Sequence, residues 1–235
     1  MTATVTIWSD VHCPWATVAI HRLRRARDEH DLDVVFDQRP WPLEWVNERG
    51  TPRHTVEPES IVLAAHEPEI FSRYRGETWP PTFLPAFELI AAAREVHGLR
   101  AAEEVDYRLR LAFFRESLDV SLRHNLRAAL DAAADAAPSE IDAGAVLRAW
   151  ETRPVRAVVV ADWERSRDLP IEGSPQIFWP DGDTTHNPGM TDHTWERGIP
   201  RIASSDPDAP ARLLRDHLAA HAGGGRAPAS RRAGT

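Results

Sequence analysis

The sequence predicts an α/β fold in which a strand–helix–strand unit is interrupted by a block of helices and completed by a hairpin and a last helix. Three observations predict it. Apolar and polar residues alternate at the start of the chain, three- and four-residue spacing dominates its middle, and a turn-marked pair of short alternating runs follows near residue 180.

The opening run, residues 4–8, sets Val5 and Ile7 against Thr4 and Thr6 and stops at Ser9-Asp10, as a short strand ending in a turn does. Pro14 suits the first position of a helix, where its missing N–H would have no partner, and Trp15, Val18, Ala19, Leu23 and Ala26 continue at helical spacing to residue 30. Val34, Val35 and Phe36 give a second strand over 32–36, parallel to the first because a crossover helix joins them. Residues 38–57, dense in Pro, Trp and Gly, read as an irregular connection.

Periodicity then predicts helices over 58–66, 83–97, 101–117, 122–136, 140–150 and 154–167, broken by Trp79-Pro80-Pro81, Gly98 and Pro138. Strand character resumes at 176–179, residues 180–183 form a hairpin turn, and 184–186 return as a second strand. Leu213, Leu214 and Leu218 place a final helix over 209–221, able to cover the sheet, and residues 223–235 are expected to be disordered. The domain reading is therefore an α/β domain in two parts, 1–57 and 168–222, a helical insertion at 58–167, and a tail at 223–235.

Composition narrows the function. With 235 residues the chain can bury a core without cross-links, and its net charge is −8. Every basic residue apart from histidine is Arg, and the Arg residues alternate with Asp and Glu as solvated helix faces do, so no nucleic-acid partner is expected. The N-terminus lacks the basic and apolar regions of a secretory leader, and no segment reaches the about 18 consecutive apolar residues of a spanning helix. No membrane partner and a cytoplasmic location are expected. The single cysteine, Cys13, excludes an intrachain disulfide and a cysteine-rich zinc site, and fits a reducing compartment.

Cys13 falls between the turn and Pro14, at a helix N-terminus where unpaired N–H groups and the macrodipole favour thiolate. The expectation is an acidic, reactive thiol; the competing reading is a small buried apolar residue. His12 either stabilises the thiolate and shuttles its proton or is an exposed loop histidine. Trp15 is either the wall of a substrate groove or core packing. His186, Asn187, Asp192 and His193 gather in HNPGMTDH, but they lack the tight three- or four-ligand spacing of a zinc site and Asn187 to Gly189 reads as a turn, so no metal is expected.

Three segments carry a family resemblance. SDVHCPWA, residues 9–16, resembles the SD-x-x-C-P-W-C active site of DsbA-like oxidoreductases, especially the cytosolic branch related to 2-hydroxychromene-2-carboxylate isomerases. EGSPQIF, residues 172–178, resembles that family's G-V-P-T-F cis-proline loop, and LAFFRESLDV, residues 111–120, resembles the L-F-x-A-x-F-x-E-x-x-D-I run of its helical domain. The resemblance extends from about residue 4 to residue 221 and implies a thioredoxin fold with an all-helical domain inserted between the second and third strands. It further implies that Cys13 and His12 are catalytic, that Pro14, Trp15, Ser174 and Pro175 bind substrate, and that Ser174-Pro175 is cis, with Ser174 offering its backbone to an extended ligand. His186 and Asn187 are implied as substrate contacts. The departure is Ala16, which stands where the dithiol enzymes have their second cysteine.

Three functions remain open on these grounds. In the first, Cys13 forms a mixed disulfide that an external low-molecular-weight thiol, glutathione or mycothiol, resolves. The second is a glutathione- or mycothiol-dependent isomerase or transferase, in which the site activates the sulfur of the thiol cofactor and no protein disulfide forms. A binding protein that kept the fold and lost the redox couple is the third. The expected partner is a small-molecule thiol or disulfide, no cofactor is expected to be held covalently, and a homodimer is left open.

Overall fold

In the computed structural model, which describes residues 2–50 and 52–224, the opening alternation becomes β1 (Ala3–Ser9), with Val5 and Ile7 fully buried. The strand runs through a tight turn into α1 (Pro14–Glu29), whose first residue is the proline that needs no partner for its nitrogen. β2 (Val34–Pro40) lies parallel to β1, with Ala3 opposite Val34 and Ser9 opposite Pro40. It extends four residues beyond the predicted end, because Asp37, Gln38 and Arg39 are polar residues carried on a strand whose flanks are covered.

The connection after β2 is more regular than its composition suggests. It holds a single helical turn, α2 (Leu43–Val46), and then α3 (Arg53–Leu63), which begins five residues before the predicted start. Pro58 lies inside α3 and does not open it, since its position in the second turn removes one hydrogen bond without ending the helix. The rest of the helical block is α4 (Leu84–His97), α5 (Leu99–Phe114), α6 (Arg123–Ala136), α7 (Ala143–Thr152) and α8 (Val155–Ser166). α7 starts later than its periodicity suggests because Asp142 caps it, accepting a hydrogen bond from the Ala145 N–H at 3.0 Å.

The chain returns to the sheet in β3 (Gln176–Phe178), antiparallel to β1 with Thr6 opposite Phe178, and β4 (Thr184–His186) pairs with β3. The sheet order is β2-β1-β3-β4. A second, separate hairpin, β5 (His193–Glu196) and β6 (Ile199–Ile202), follows and was absent from the sequence prediction. Its turn, Arg197-Gly198, takes positive φ at both residues, the backbone that a two-residue hairpin loop needs. The hairpin's base is closed by the Asp206 N–H donating to the Gly189 carbonyl at 2.8 Å, an approach so close that a Cβ on Gly189 would lie 2.2 Å from the Asp206 oxygen.

α9 (Ala209–Gly224) packs on α1, and the ring of His217 stacks on Trp179 at 4.6 Å while bonding Asp181 in the hairpin turn. Gly223 and Gly224 belong to this helix; the remainder of the expected tail, 225–235, lies outside the described residues. Two apolar cores result. One joins Val5, Ile7, Ile20, Leu23, Phe36 and Ile177 to Leu214 of α9, and the other unites α4 to α7 and reaches across to Val11, Cys13 and Trp15.

Candidate functional site

The turn between β1 and α1 is held by groups from four parts of the chain. Asp10, fully buried, receives the His12 N–H at 2.9 Å and the His12 Nδ1 at 2.5 Å on one oxygen, and the Leu43 N–H at 2.6 Å on the other. Its own N–H donates to Ser174 Oγ at 2.9 Å. From α5 the guanidinium of Arg110, without exposed surface, donates to the Asp10 carbonyl and to Ser9 Oγ at 2.8 Å each, while Asp106 anchors it through both carboxylate oxygens. Such a fork of charge-assisted bonds fixes direction as well as distance.

Cys13 is the N-cap of α1, and its carbonyl accepts the first helical bond, from the Thr17 N–H. The sulfur faces Ser174: Sγ donates to the Ser174 carbonyl at 3.2 Å, and the Ser174-Pro175 peptide bond is cis. The thiol is only 5% exposed. Burial pushes it from its ordinary value up to about 12; the Ser174 side chain opposes this, the charge of Glu59 adds to it, the Ala16 backbone opposes it, and the charge of Asp10 adds to it. The expected acidic thiol is therefore corrected. A helix terminus offers at most about 2 kcal/mol, or about 1.5 units at 1.36 kcal/mol each, whereas full burial moves a thiol by as much as about 3–5 units. Burial wins.

The remaining sequence-derived residues divide by what they touch. His12 is not the exposed loop histidine of one reading: it is fully buried, bonded to Asp10 and stacked on Phe83 at 4.2 Å between ring centres. Pro14 and Trp15 open α1, and Trp15 is buried in the same core as Cys13 while its ring meets His193 of β5 at 4.6 Å. His186 Nδ1 lies 3.0 Å from the Pro175 carbonyl, which also accepts the Asn187 N–H at 3.3 Å. Both residues thus hold the proline loop in place, and Asn187 turns its side chain to the Met190 carbonyl. Ala16 is fully buried.

Sequence reasoning missed Asp10, Arg110, Phe83, Glu59 and the β5–β6 hairpin. Arg110 was hidden among the arginines assigned to solvated faces; that assignment fails for Arg22 as well, which is buried against Glu67. The available signal was the Asp106–Arg110 pair set four apart among Ala102, Val105, Leu109 and Phe113, which are all buried. Among the described residues, two groups bring three metal-capable atoms within 4.8 Å, His21–Glu67–Glu69, where Glu67 is held by Arg22 and Arg25, and Asp181–Asp183–His217, where Asp181 and His217 bond each other.

A strand turning into a helix capped by cysteine, opposite a cis-proline loop, is the geometry in which the family match has to be read. The family description "DSBA-like thioredoxin domain" matches residues 4–193. The chain belongs to this family. Solved structures similar to this DSBA-like protein include the cytosolic disulfide reductase DsbM of Pseudomonas aeruginosa, at 20% identity, covering 92% of this chain and 98% of that one with a TM-score of 0.58. A structure of DsbM with GSH aligns at 18% identity over 92% and 99% of the two chains, with a TM-score of 0.56. A "probable DsbA oxidoreductase" of Streptomyces coelicolor aligns at 19% identity over 97% and 93%, with a TM-score of 0.63. At these identities the likeness speaks for the fold. No curated protein matches this DSBA-like chain in sequence. Among its described residues no helix is long and apolar enough to cross a membrane.

Proposed function

We propose that this DSBA-like protein is a thiol-disulfide oxidoreductase that works through one thiol and borrows the second from solution. The observation that carries the reading is the Cys13 sulfur at the start of α1, 3.2 Å from the Ser174 carbonyl and beside the cis Pro175. Attack of the Cys13 sulfur on a small disulfide forms the Cys13–thiol mixed disulfide and releases one thiolate; attack of a second small thiol then restores Cys13 and releases a new disulfide. With Ala16 in the resolving position, no internal sulfur competes for the second step. Glutathione or mycothiol is the proposed thiol, with His12, Pro14 and Trp15 on one side and Ser174, Pro175, His186 and Asn187 on the other. DsbM, described as cytosolic and solved with GSH, supports both the thiol and a cytoplasmic setting.

One observation favours a second reading, a glutathione- or mycothiol-dependent isomerase or transferase. A buried thiol whose proton points at a carbonyl can serve as a hydrogen-bond donor to a cofactor sulfur without ever forming a disulfide. Intact-mass measurement after incubation with oxidised glutathione, and separately with oxidised mycothiol, separates the two. A single adduct on Cys13 that reduced thiol removes, and that Cys13→Ser abolishes, is the expected result. No adduct, together with retained binding of the reduced thiol, would replace the oxidoreductase reading with the second.

A further inference from the structure

Residues 72–75 lie along the end of α5. The Ser72 N–H donates to the Phe114 carbonyl at 2.8 Å, Ser72 Oγ to the Arg115 carbonyl at 2.5 Å, and the Arg75 N–H to Ser117 Oγ at 3.0 Å. Between this segment, α5 and α3 opens a cavity of about 240 Å³, walled by the rings of Tyr74, Trp79, Phe113 and Phe114. Trp79 meets Tyr74 at 4.9 Å and Phe113 at 5.2 Å, both edge to face, the geometry ring pairs prefer. The Tyr74 hydroxyl is bonded to the Thr78 carbonyl at 2.6 Å, and Ile61 of α3, 62% exposed, forms an apolar side of the mouth. Neither Cys13 nor the cis-proline loop lines this cavity.

Ser72 also lines a second, open hollow, together with Arg75, Arg115 and Glu116. Arg73 at the aromatic cavity, and Arg75 and Arg115 at the hollow, have no carboxylate partner among the described residues, in a chain of net charge −8. Glu57, at the aromatic cavity, is neutralised by Arg53 at 2.8 Å, so the rim sets three arginines against Glu116 alone. The C-terminal end of a helix repels anions, but here the carbonyls of Leu111, Ala112, Phe114 and Arg115 are already bonded, to the N–H groups of Glu116 and Leu118 and to Ser72.

We propose that this surface docks an acidic, extended stretch of a partner protein, with an aromatic side chain of the partner entering the cavity and neighbouring carboxylates meeting Arg73, Arg75 and Arg115. A cavity of about 150 Å³ already takes benzene, so this one has room for a single indole or phenol side chain and not for a folded element. The apolar and the cationic parts lie side by side and join at Ser72, which suits an extended chain, where every second side chain returns to the same face. An apolar pocket rimmed by polar, solvent-accessible groups is the form that receives an aromatic anchor. The inference goes beyond the oxidoreductase reading and makes no use of the thiol.

The test is calorimetric titration of the full-length protein, at low salt, with the cysteine-free peptide acetyl-Glu-Trp-Glu-Glu-amide. Binding with a Kd below about 1 mM is expected, and replacing the peptide's Trp by Ala, or its Glu residues by Gln, should each weaken it by about tenfold or more. The combined Arg73→Gln, Arg75→Gln and Arg115→Gln variant, changed only at exposed side chains, should bind the Glu and Gln peptides alike. Ser60→Trp, which fills the aromatic cavity, should remove the advantage of Trp over Ala in the peptide. No binding at millimolar peptide, or a triple variant that still prefers the Glu peptide, overturns the proposal. So does indole-3-propionate binding as tightly as the peptide, which would make this a small-molecule site. Because the peptide carries no sulfur, failure here leaves the mixed-disulfide measurement on Cys13 untouched.

Discussion

The Sγ of Cys13 donates to the carbonyl oxygen of Ser174 at 3.2 Å, a bond open only to the protonated thiol. Burial of the sulfur makes the native fold bind this proton more tightly than the unfolded chain does, raising the thiol from 9.0 to about 12. With the folded value raised, the associated stability is fully present below the unfolded value and is lost as pH climbs through the window between the two. Denaturant midpoints measured from neutral to strongly alkaline pH should fall more steeply for the wild type than for Cys13→Ser. Equal slopes would show that the sulfur titrates as in free cysteine.

Arg110 and Asp106 are buried together, and removing one alone leaves an uncompensated charge. Arg110→Leu is expected to destabilise the protein by about 3–5 kcal/mol, and Arg110→Leu with Asp106→Leu by clearly less. Chemical denaturation of the two single variants and the pair measures this. An additive cycle would mean that the guanidinium bonds to Ser9 and Asp10, and not its carboxylate partner, set the cost.

Ala16→Cys places a second sulfur one helical turn from Cys13, within reach of disulfide geometry. The variant should form an intramolecular disulfide and catalyse insulin reduction with a dithiol reductant, whereas the wild type should show no such activity without a small thiol. Because Ala16 is fully buried, the added sulfur is expected to cost about 1–3 kcal/mol in the reduced state. Thiol counting after mild oxidation decides the matter: two free thiols would show that the groove does not let the pair close.

Much of the scaffold was legible because its signals are local. Val5 and Ile7 announce β1, Pro14 opens α1, and Pro180-Asp181-Gly182-Asp183 turns β3 into β4 with no help from distant residues. The Cys13–Ser174 pairing was readable only through the two motifs, since nothing in the spacing of residues 161 apart brings them together. The burial of His12 and Arg110 and the suppressed acidity of Cys13 are tertiary properties: each depends on a helix or loop from another part of the chain. The β5–β6 hairpin escaped because its strands are four residues long and one contains Pro200.

The central position of β1 sets an order for synthesis. Thr6 leaves the ribosome early and its β2 partner, Asp37, soon afterwards, but its other neighbour, Phe178, arrives only after the whole helical block has been made. Helices whose contacts are close in sequence complete themselves first, and β1 waits with one edge unpaired. A nascent chain stalled before residue 176 thus carries the open strand edge that promotes association with other chains, and release of a sound molecule depends on three late residues, Gln176, Ile177 and Phe178, closing it.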